Sequence, residues 1–251
     1  MFRRLTVLLC ALALGLAACG GDDDGGGADK PKQTPQAEQK VTDGCKKVAQ
    51  PKPKQSPSAD QPQAASCKKV VQPKAKPNGG AKPPTRALDR STTYDVVLKT
   101  SCGDITIRLD QTTSPRTAAS FASLAKSGFF DGTTFHRIVP GFVIQGGDPT
   151  GTGTGGPGYS TRDVPPKSAT YTKGVVAMAK TGSEPAGTAG SQFYIVTAGD
   201  AGLPPDYALL GRVVKGQDVV DAIGELGDPA SGEVGTPLEP VVIERASVRE
   251  S

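Results

Sequence analysis

The sequence predicts a mainly β domain closed into an antiparallel barrel and carried behind a long unfolded N-terminal segment. Three observations predict it. From Tyr94 to the C-terminus, short β-branched and aromatic runs recur between Gly and Pro residues, the pattern of many short strands. Only two stretches in that region carry helical spacing. From Gly20 to about Arg90 the chain is Pro, Lys, Gln, Gly and Asp with almost no large apolar side chains, so it buries too little surface to offset the entropy of ordering.

Arg3 and Arg4 precede an apolar run, Leu5 to Leu16, too short for a permanent membrane span and proportioned like a signal-peptide core. The run ends in Leu16-Ala17-Ala18-Cys19, which resembles a bacterial lipobox. That resemblance implies a lipoprotein signal over residues 1–18, acylation of Cys19 as the mature N-terminus, and an extracytoplasmic protein lipid-anchored to the cell membrane. Residues 19–90 are then a disordered Lys/Pro-rich tether, partly polyproline II, and residues 91–251 the folded domain.

The tether holds an internal echo. Cys45-Lys-Lys-Val-Ala-Gln-Pro-Lys52 recurs as Cys67-Lys-Lys-Val-Val-Gln-Pro-Lys74; two copies are too few for a solenoid, and a duplicated spacer is the simpler account. Charge divides at the same boundary. Residues 20–90 hold 14 Lys and Arg against 8 Asp and Glu, a net of +6, whereas residues 91–251 hold 13 against 17, a net of −4. The acidic domain and the absence of stacking aromatics on the basic segment argue against nucleic acid.

Within the domain, Tyr94–Thr100 and Asp104–Leu109 alternate apolar and polar residues about Ser-Cys-Gly and form paired strands. Ser114-Pro115 opens a helix as N-cap and first residue, Phe121, Leu124 and Ala125 give it a buried stripe, and Gly128 ends it. Strands follow at Thr134–Val139, Phe142–Gln145, Gly174–Ala179, Gln192–Thr197, Leu209–Val214 and Pro240–Val248, with a second helix near Gln217–Leu226.

The chemistry concentrates in Phe135-His-Arg-Ile-Val-Pro-Gly-Phe-Val-Ile-Gln-Gly-Gly-Asp148. Two short strands about Pro140-Gly141 carry Arg137, Phe142 and Gln145, which converge because the turn resets the register between them. The result is an apolar pocket with one cation and one amide. This segment closely resembles the core motif of the cyclophilins, the peptidyl-prolyl cis/trans isomerases, and Gly174-Val-Val-Ala-Met-Ala-Lys-Thr-Gly182 with Gly190-Ser-Gln-Phe-Tyr-Ile-Val-Thr197 supports the match.

The resemblance covers roughly Ser91 to Ser251 and implies an eight-stranded closed barrel capped by two helices. It also implies a monomer that isomerises prolyl bonds in proline-containing polypeptides without a cofactor or metal. It assigns Arg137, Phe142 and Gln145 as catalytic, and Val143, Ala179, Lys180, Thr181, Gln192, Tyr194, Leu203 and Tyr207 as substrate contacts. A non-catalytic proline-peptide-binding module tethered to the membrane is the alternative; the presence of Arg137 favours catalysis. Three features depart from the family pattern. The loop between Gly182 and Gly190 is long, Lys180 replaces an asparagine that presents its backbone, and Gly202 and Tyr207 stand in place of a rim aromatic and a histidine. Activity is expected, and tight cyclosporin binding is not.

Gly151-Thr-Gly-Thr-Gly-Gly156 satisfies G-x-G-x-x-G, but Pro157-Gly158 follows where a dinucleotide site needs a helix, so it is a loop. By the resemblance such a loop borders the substrate groove. His136, the only histidine, points opposite to Arg137 by strand alternation and is a structural residue. Outside the signal lie Cys19, Cys45, Cys67 and Cys102. A Cys45–Cys67 loop leaves Cys102 alone, spacing alone does not decide the pairing, and no disulfide framework is implied.

Overall fold

A computed structural model describes residues 66–251; the signal segment, Cys19, Cys45 and the first part of the tether lie outside the described residues. Period-two patterning produces the first hairpin, β1 (Tyr94–Thr100) paired antiparallel with β2 (Gly103–Leu109). Val96, Leu98, Ile105 and Ile107 are fully buried along one face. Gly103 is required at the turn because its φ is +132° and an added Cβ would lie 2.8 Å from the Val219 side chain.

The remaining strands are β3 (Thr133–Thr134), β4 (Arg137–Val139), β5 (Val143–Gly146), β6 (Thr161–Arg162), β7 (Val175–Met178), β8 (Thr188–Ala189), β9 (Phe193–Val196), β10 (Leu209–Lys215) and β11 (Val242–Glu250). Nine of them form one curled antiparallel sheet in the order β3-β11-β1-β2-β10-β7-β9-β5-β4, and β6 pairs with β8 separately. The expected closed eight-stranded barrel is therefore corrected. The edge strands β3 and β4 pair only with β11 and β5. The predicted strand Thr134–Val139 breaks at Phe135-His136, and the segment before β11 runs along the opening. It accepts from Ile138 N–H at the Gly235 carbonyl (2.7 Å) and from Phe135 N–H at the Val241 carbonyl (2.9 Å).

Helices α1 (Pro115–Lys126) and α2 (Gln217–Gly224) form where predicted, α2 ending two residues early. Ser114 takes the N-cap position of α1 without a side-chain bond; the Asp163 carboxylate accepts from Thr117 N–H at 2.7 Å instead. Phe121 of α1 packs at the centre of the main core against Phe130 (ring centroids 4.6 Å) and Phe193 (5.2 Å, edge-on). Among the described residues no helix is long and apolar enough to cross a membrane.

The tether expectation fails for residues 66–90. This segment is a strap laid along the domain, and it begins at a Cys67–Cys102 disulfide, a pairing that spacing alone could not choose. Lys76, Gly79 and Ala81 donate backbone N–H groups to the carbonyls of Pro149 (2.8 Å), Gly156 (2.9 Å) and Pro157 (3.0 Å). The Lys76 ammonium donates to the carbonyls of Gly128, Phe129 and Asp131, at 3.2, 2.6 and 3.0 Å. Cys67, Ala81 and Leu88 pack on the core.

Candidate active site

The site is the second face of β4, β5, β9 and β7. Alternation sends Ile144, Phe193, Ile195, Val176 and Met178 into the main core, and Val143, Tyr194, Val196, Val175 and Ala177 into a smaller cluster on the other side. Cross-strand register then lines up the polar groups: Arg137 lies opposite Gln145, and Gln145 opposite Tyr194. The Pro140-Gly141 turn places Phe142 beside them, its ring 5.9 Å from the Arg137 guanidinium carbon.

A cavity of about 220 Å³ opens here, lined by Arg137, Phe142, Val143, Gln145, Ala179, Lys180, Tyr194, Leu203 and Tyr207. Nine of the eleven expected site residues thus share one cavity. Thr181 and Gln192 line an adjoining one of about 570 Å³, and Gln192 still touches the first because Gln145 Nε2 donates to its Oε1 at 3.0 Å.

Arg137 is half-buried. Its Nε and Nη2 donate to the Glu233 carbonyl (3.1 and 2.9 Å), which fixes the guanidinium plane, and Nη1 reaches Gln145 Oε1 at 3.4 Å. Burial lowers its pKa, with the Glu233 and Tyr207 side chains opposing, yet a guanidinium stays charged in proteins. The cation is therefore partly desolvated and held through Nε and Nη2, with Nη1 on the Gln145 side left to donate to a ligand.

Gln192 Nε2 donates to the carbonyls of Gly153 and Gly155, both at 2.9 Å, so the glycine-rich loop positions the amide pair. The loop is in turn wound around Asp148, fully buried. Asp148 Oδ1 accepts from Thr150 N–H (2.7 Å) and Thr150 Oγ1 (2.8 Å), and Oδ2 from the N–H groups of Thr152 (3.1 Å), Gly153 (2.6 Å) and Gly155 (3.1 Å). Burial pushes its pKa up, but hydrogen bonds from the Thr150 side chain and from the backbone of Thr150, Gly155 and Gly153 outweigh it, and the carboxyl lies below its ordinary range. Sequence reasoning missed Asp148. The loop is no dinucleotide site, since no helix begins at its end.

Tyr194 and Tyr207 wall the cavity, and Tyr171 packs behind them. Tyr194 meets Tyr207 edge-on with centroids 5.7 Å apart, and Tyr171 meets Tyr207 at 5.9 Å. Tyr171 Oη donates to the Tyr207 carbonyl (2.7 Å) and accepts from its N–H (3.0 Å), which pins the Tyr207 loop. Burial raises the pKa of Tyr194, assisted by its two tyrosine neighbours, so its hydroxyl is neutral. Lys180 does more than present its backbone. Its side chain, 3% exposed, pairs with Asp206 at 2.5 Å, donates to the Glu184 carbonyl (3.1 Å) and lies 5.4 Å from the Tyr207 ring centre. The rim at Gly202 is open, with nothing within 4 Å of an added Cβ. His136 is half-buried, and burial holds its pKa below the usual value, leaving it neutral at pH 7.

The geometry has counterparts among known proteins. Residues 95–248 match the profile of the family described as cyclophilin type peptidyl-prolyl cis-trans isomerase/CLD. Peptidyl-prolyl cis-trans isomerase B of Streptomyces anulatus is 40% identical over 169 residues, which cover 60% of this chain and 94% of that protein. Peptidyl-prolyl cis-trans isomerase A of Mycobacterium tuberculosis is 38% identical over 174 residues, covering 62% and 92%. Among solved structures, a cyclophilin type peptidyl-prolyl cis-trans isomerase of Cryptosporidium parvum aligns with a TM-score of 0.56 at 29% identity, over 62% of this chain and 98% of that one. A structure of that isomerase in the presence of the dipeptide Ala-Pro aligns at 0.55, with the same identity and coverage.

Proposed function

The chain belongs to the cyclophilin-type peptidyl-prolyl cis-trans isomerase family and is a peptidyl-prolyl cis/trans isomerase; we propose that Arg137 is its catalytic group and that it serves polypeptides folding outside the cytoplasm, anchored to a membrane through Cys19. The observation that carries the catalytic assignment is a fixed, half-buried guanidinium on a cavity of about 220 Å³ whose other walls include Phe142, Val143, Tyr194 and Leu203.

Rotation about the peptide bond meets a barrier of about 18–20 kcal/mol because the nitrogen lone pair is delocalised into the carbonyl. In the twisted state that lone pair returns to a pyramidal nitrogen and becomes a hydrogen-bond acceptor. Phe142, Val143, Tyr194 and Leu203 hold the proline ring, and Gln145 and Gln192 hold neighbouring backbone polar groups. Arg137 donates to the prolyl nitrogen, an interaction absent from the planar ground state and so purely rate-enhancing. No covalent bond forms or breaks. Partial desolvation strengthens the donor because little water screens it.

Arg137→Ala is expected to lower kcat/KM by about 10²-fold, with the loss in kcat, in a protease-coupled assay on an Ala-Pro peptide. Unchanged kcat in a folded variant would reject Arg137 as the catalytic group. The membrane reading rests on the signal-like run and on Leu16-Ala17-Ala18-Cys19.

A further inference from the structure

Three cavities of the domain join end to end. The proline cavity shares Gln145, Ala179 and Lys180 with the adjoining one, and that one shares Ser160 and Glu184 with a third, of about 800 Å³. One wall of the third is the strap, Pro83 to Ala87; the other is the start of α1 with β6 and β8. The strap lies outside the residues that match the family profile, so this end of the trough is built by the chain's own extension.

Its floor carries Pro84, Pro115 and Ala119, and its rim carries three exposed arginines, Arg86, Arg116 and Arg162. None of the three pairs with a carboxylate among the described residues. The two acids nearby accept from neutral donors and keep their charge, but neither forms an ion pair with the arginines. Glu184 accepts from Thr181 N–H (2.6 Å) and Thr181 Oγ1 (2.9 Å) within its own loop. Asp163 accepts from Thr117 N–H and so also occupies the first turn of α1. The rim thus sets three arginines against two carboxylates, a net positive patch over an apolar floor, beside a domain whose residues 91–251 carry a net −4.

We propose that this strap-walled cavity is an extended substrate subsite, which selects client polypeptides carrying a run of acidic residues several positions to one side of the isomerised proline. The proposal rests on the isomerase reading and names the substrate class for it. An extended client seated in the proline cavity would pass Gln192 and Thr181 and then the shared wall at Ser160 and Glu184 to reach the arginines. Their charge complementarity selects Asp and Glu there, and the apolar floor accepts the intervening side chains. Because the contact forms equally in the ground and twisted states, it acts on KM and leaves kcat alone.

The test uses the full chain and three peptides around one Ala-Pro core: a neutral extension, the same extension with four Glu before the proline, and the same with four Glu after it. Exposed ion pairs are individually weak, so the expected result is a kcat/KM ratio of about 3- to 10-fold, acidic over neutral, for one polarity only. That ratio is carried by KM and shrinks in 1 M salt, where the Debye length is about 3 Å. In Arg86→Glu/Arg116→Glu the ratio falls to about one or below. Both side chains are exposed, and an acid in the first turn of α1 suits the helix dipole, so the variant folds, as its thermal midpoint checks. A ratio near one for both polarities in the wild type overturns the proposal, and so does a ratio that survives in the variant. If no peptide is turned over, the isomerase reading fails separately. Anisotropy of the same peptides carrying a fluorophore then decides the subsite by the same ratios.

Discussion

Asp148 offers the sharpest test of how the site is held. Its carboxylate accepts five hydrogen bonds at full burial. In Asp148→Asn the amide group must face either Thr150 or the three N–H groups of Thr152, Gly153 and Gly155. The first is the lesser loss, because the Thr150 hydroxyl can turn and accept, leaving one orphaned N–H at about 1–3 kcal/mol. The three bonds that survive fall from the charged to the neutral class, about 1 kcal/mol each. The total is about 4–6 kcal/mol, or roughly 10–20 °C in Tm for a domain of this size. Loosened carbonyls at Gly153 and Gly155 release Gln192, and a lost positioned amide lowers kcat/KM by about tenfold. Thermal unfolding by circular dichroism and the protease-coupled assay read the two effects. The pH dependence has a definite sign. The folded pKa of Asp148 is depressed, so its contribution is complete above the unfolded carboxylate value of about 3.9 and is lost as pH falls through the folded value. The Tm gap between wild type and Asp148→Asn should therefore be constant from pH 5 to 7 and narrow only below about pH 4. Equal midpoints at pH 7 would refute the role assigned to this carboxylate.

Three further outcomes are expected. Cys102→Ser opens a closure spanning 35 residues, for which the loop-entropy relation gives about 4 kcal/mol; a Tm indifferent to both the variant and a reductant would contradict it. Lys180→Ala leaves Asp206 unpaired beside the Tyr207 loop, so KM should rise several-fold while kcat holds, and a kcat loss with KM unchanged would place Lys180 in the chemistry instead. Cys19→Ser should release or misprocess the protein and abolish fatty-acid labelling; a wild type that carries no label and fractionates as a soluble extracytoplasmic protein would remove the anchor and leave the isomerase untouched.

What was legible in the sequence was whatever side-chain identity encodes. Alternation in Val96–Leu98 and Ile105–Ile107 gave β1 and β2, and Arg137, Phe142 and Gln145 flank one turn, so they meet across a register that the turn sets. Asp148 was invisible because four of its five partners are backbone N–H groups, which any residue except proline carries. The strap was misjudged for the same reason. Its composition correctly excludes helices, and the segment holds none, but a chain with few large apolar side chains can still dock through its own amides, one ammonium and the few it has. The Cys67–Cys102 pairing depends on tertiary placement, which spacing does not carry. The break at Phe135-His136 arises where the chain passes from one sheet edge to the other, a demand of the curl and not of local propensity.

The docked strap bears on the active site through one loop. The glycine-rich segment 151–156 has four glycines among six residues, a composition that loses much entropy on ordering, yet its carbonyls must stay put for Gln192 to be positioned. Asp148 grips it from inside. From outside, Gly79 and Ala81 donate to Gly156 and Pro157, and Gly156 N–H donates to Asn78 Oδ1 at 2.9 Å. What keeps the strap there is its disulfide at one end, the Lys76 ammonium among three carbonyls just past the C-terminus of α1, where a cation is favoured, and the attraction between seven Lys and Arg opposed only by Asp89 in residues 66–90 and a domain of net −4. A basic extension on an acidic domain is therefore a second clamp on the site. The clamps differ in kind, one buried and charge-assisted, the other peripheral and screened. It follows that opening the disulfide should raise KM less than Asp148→Asn does, and that salt should raise KM further in Cys102→Ser while leaving the KM of the wild type on a neutral peptide almost unchanged.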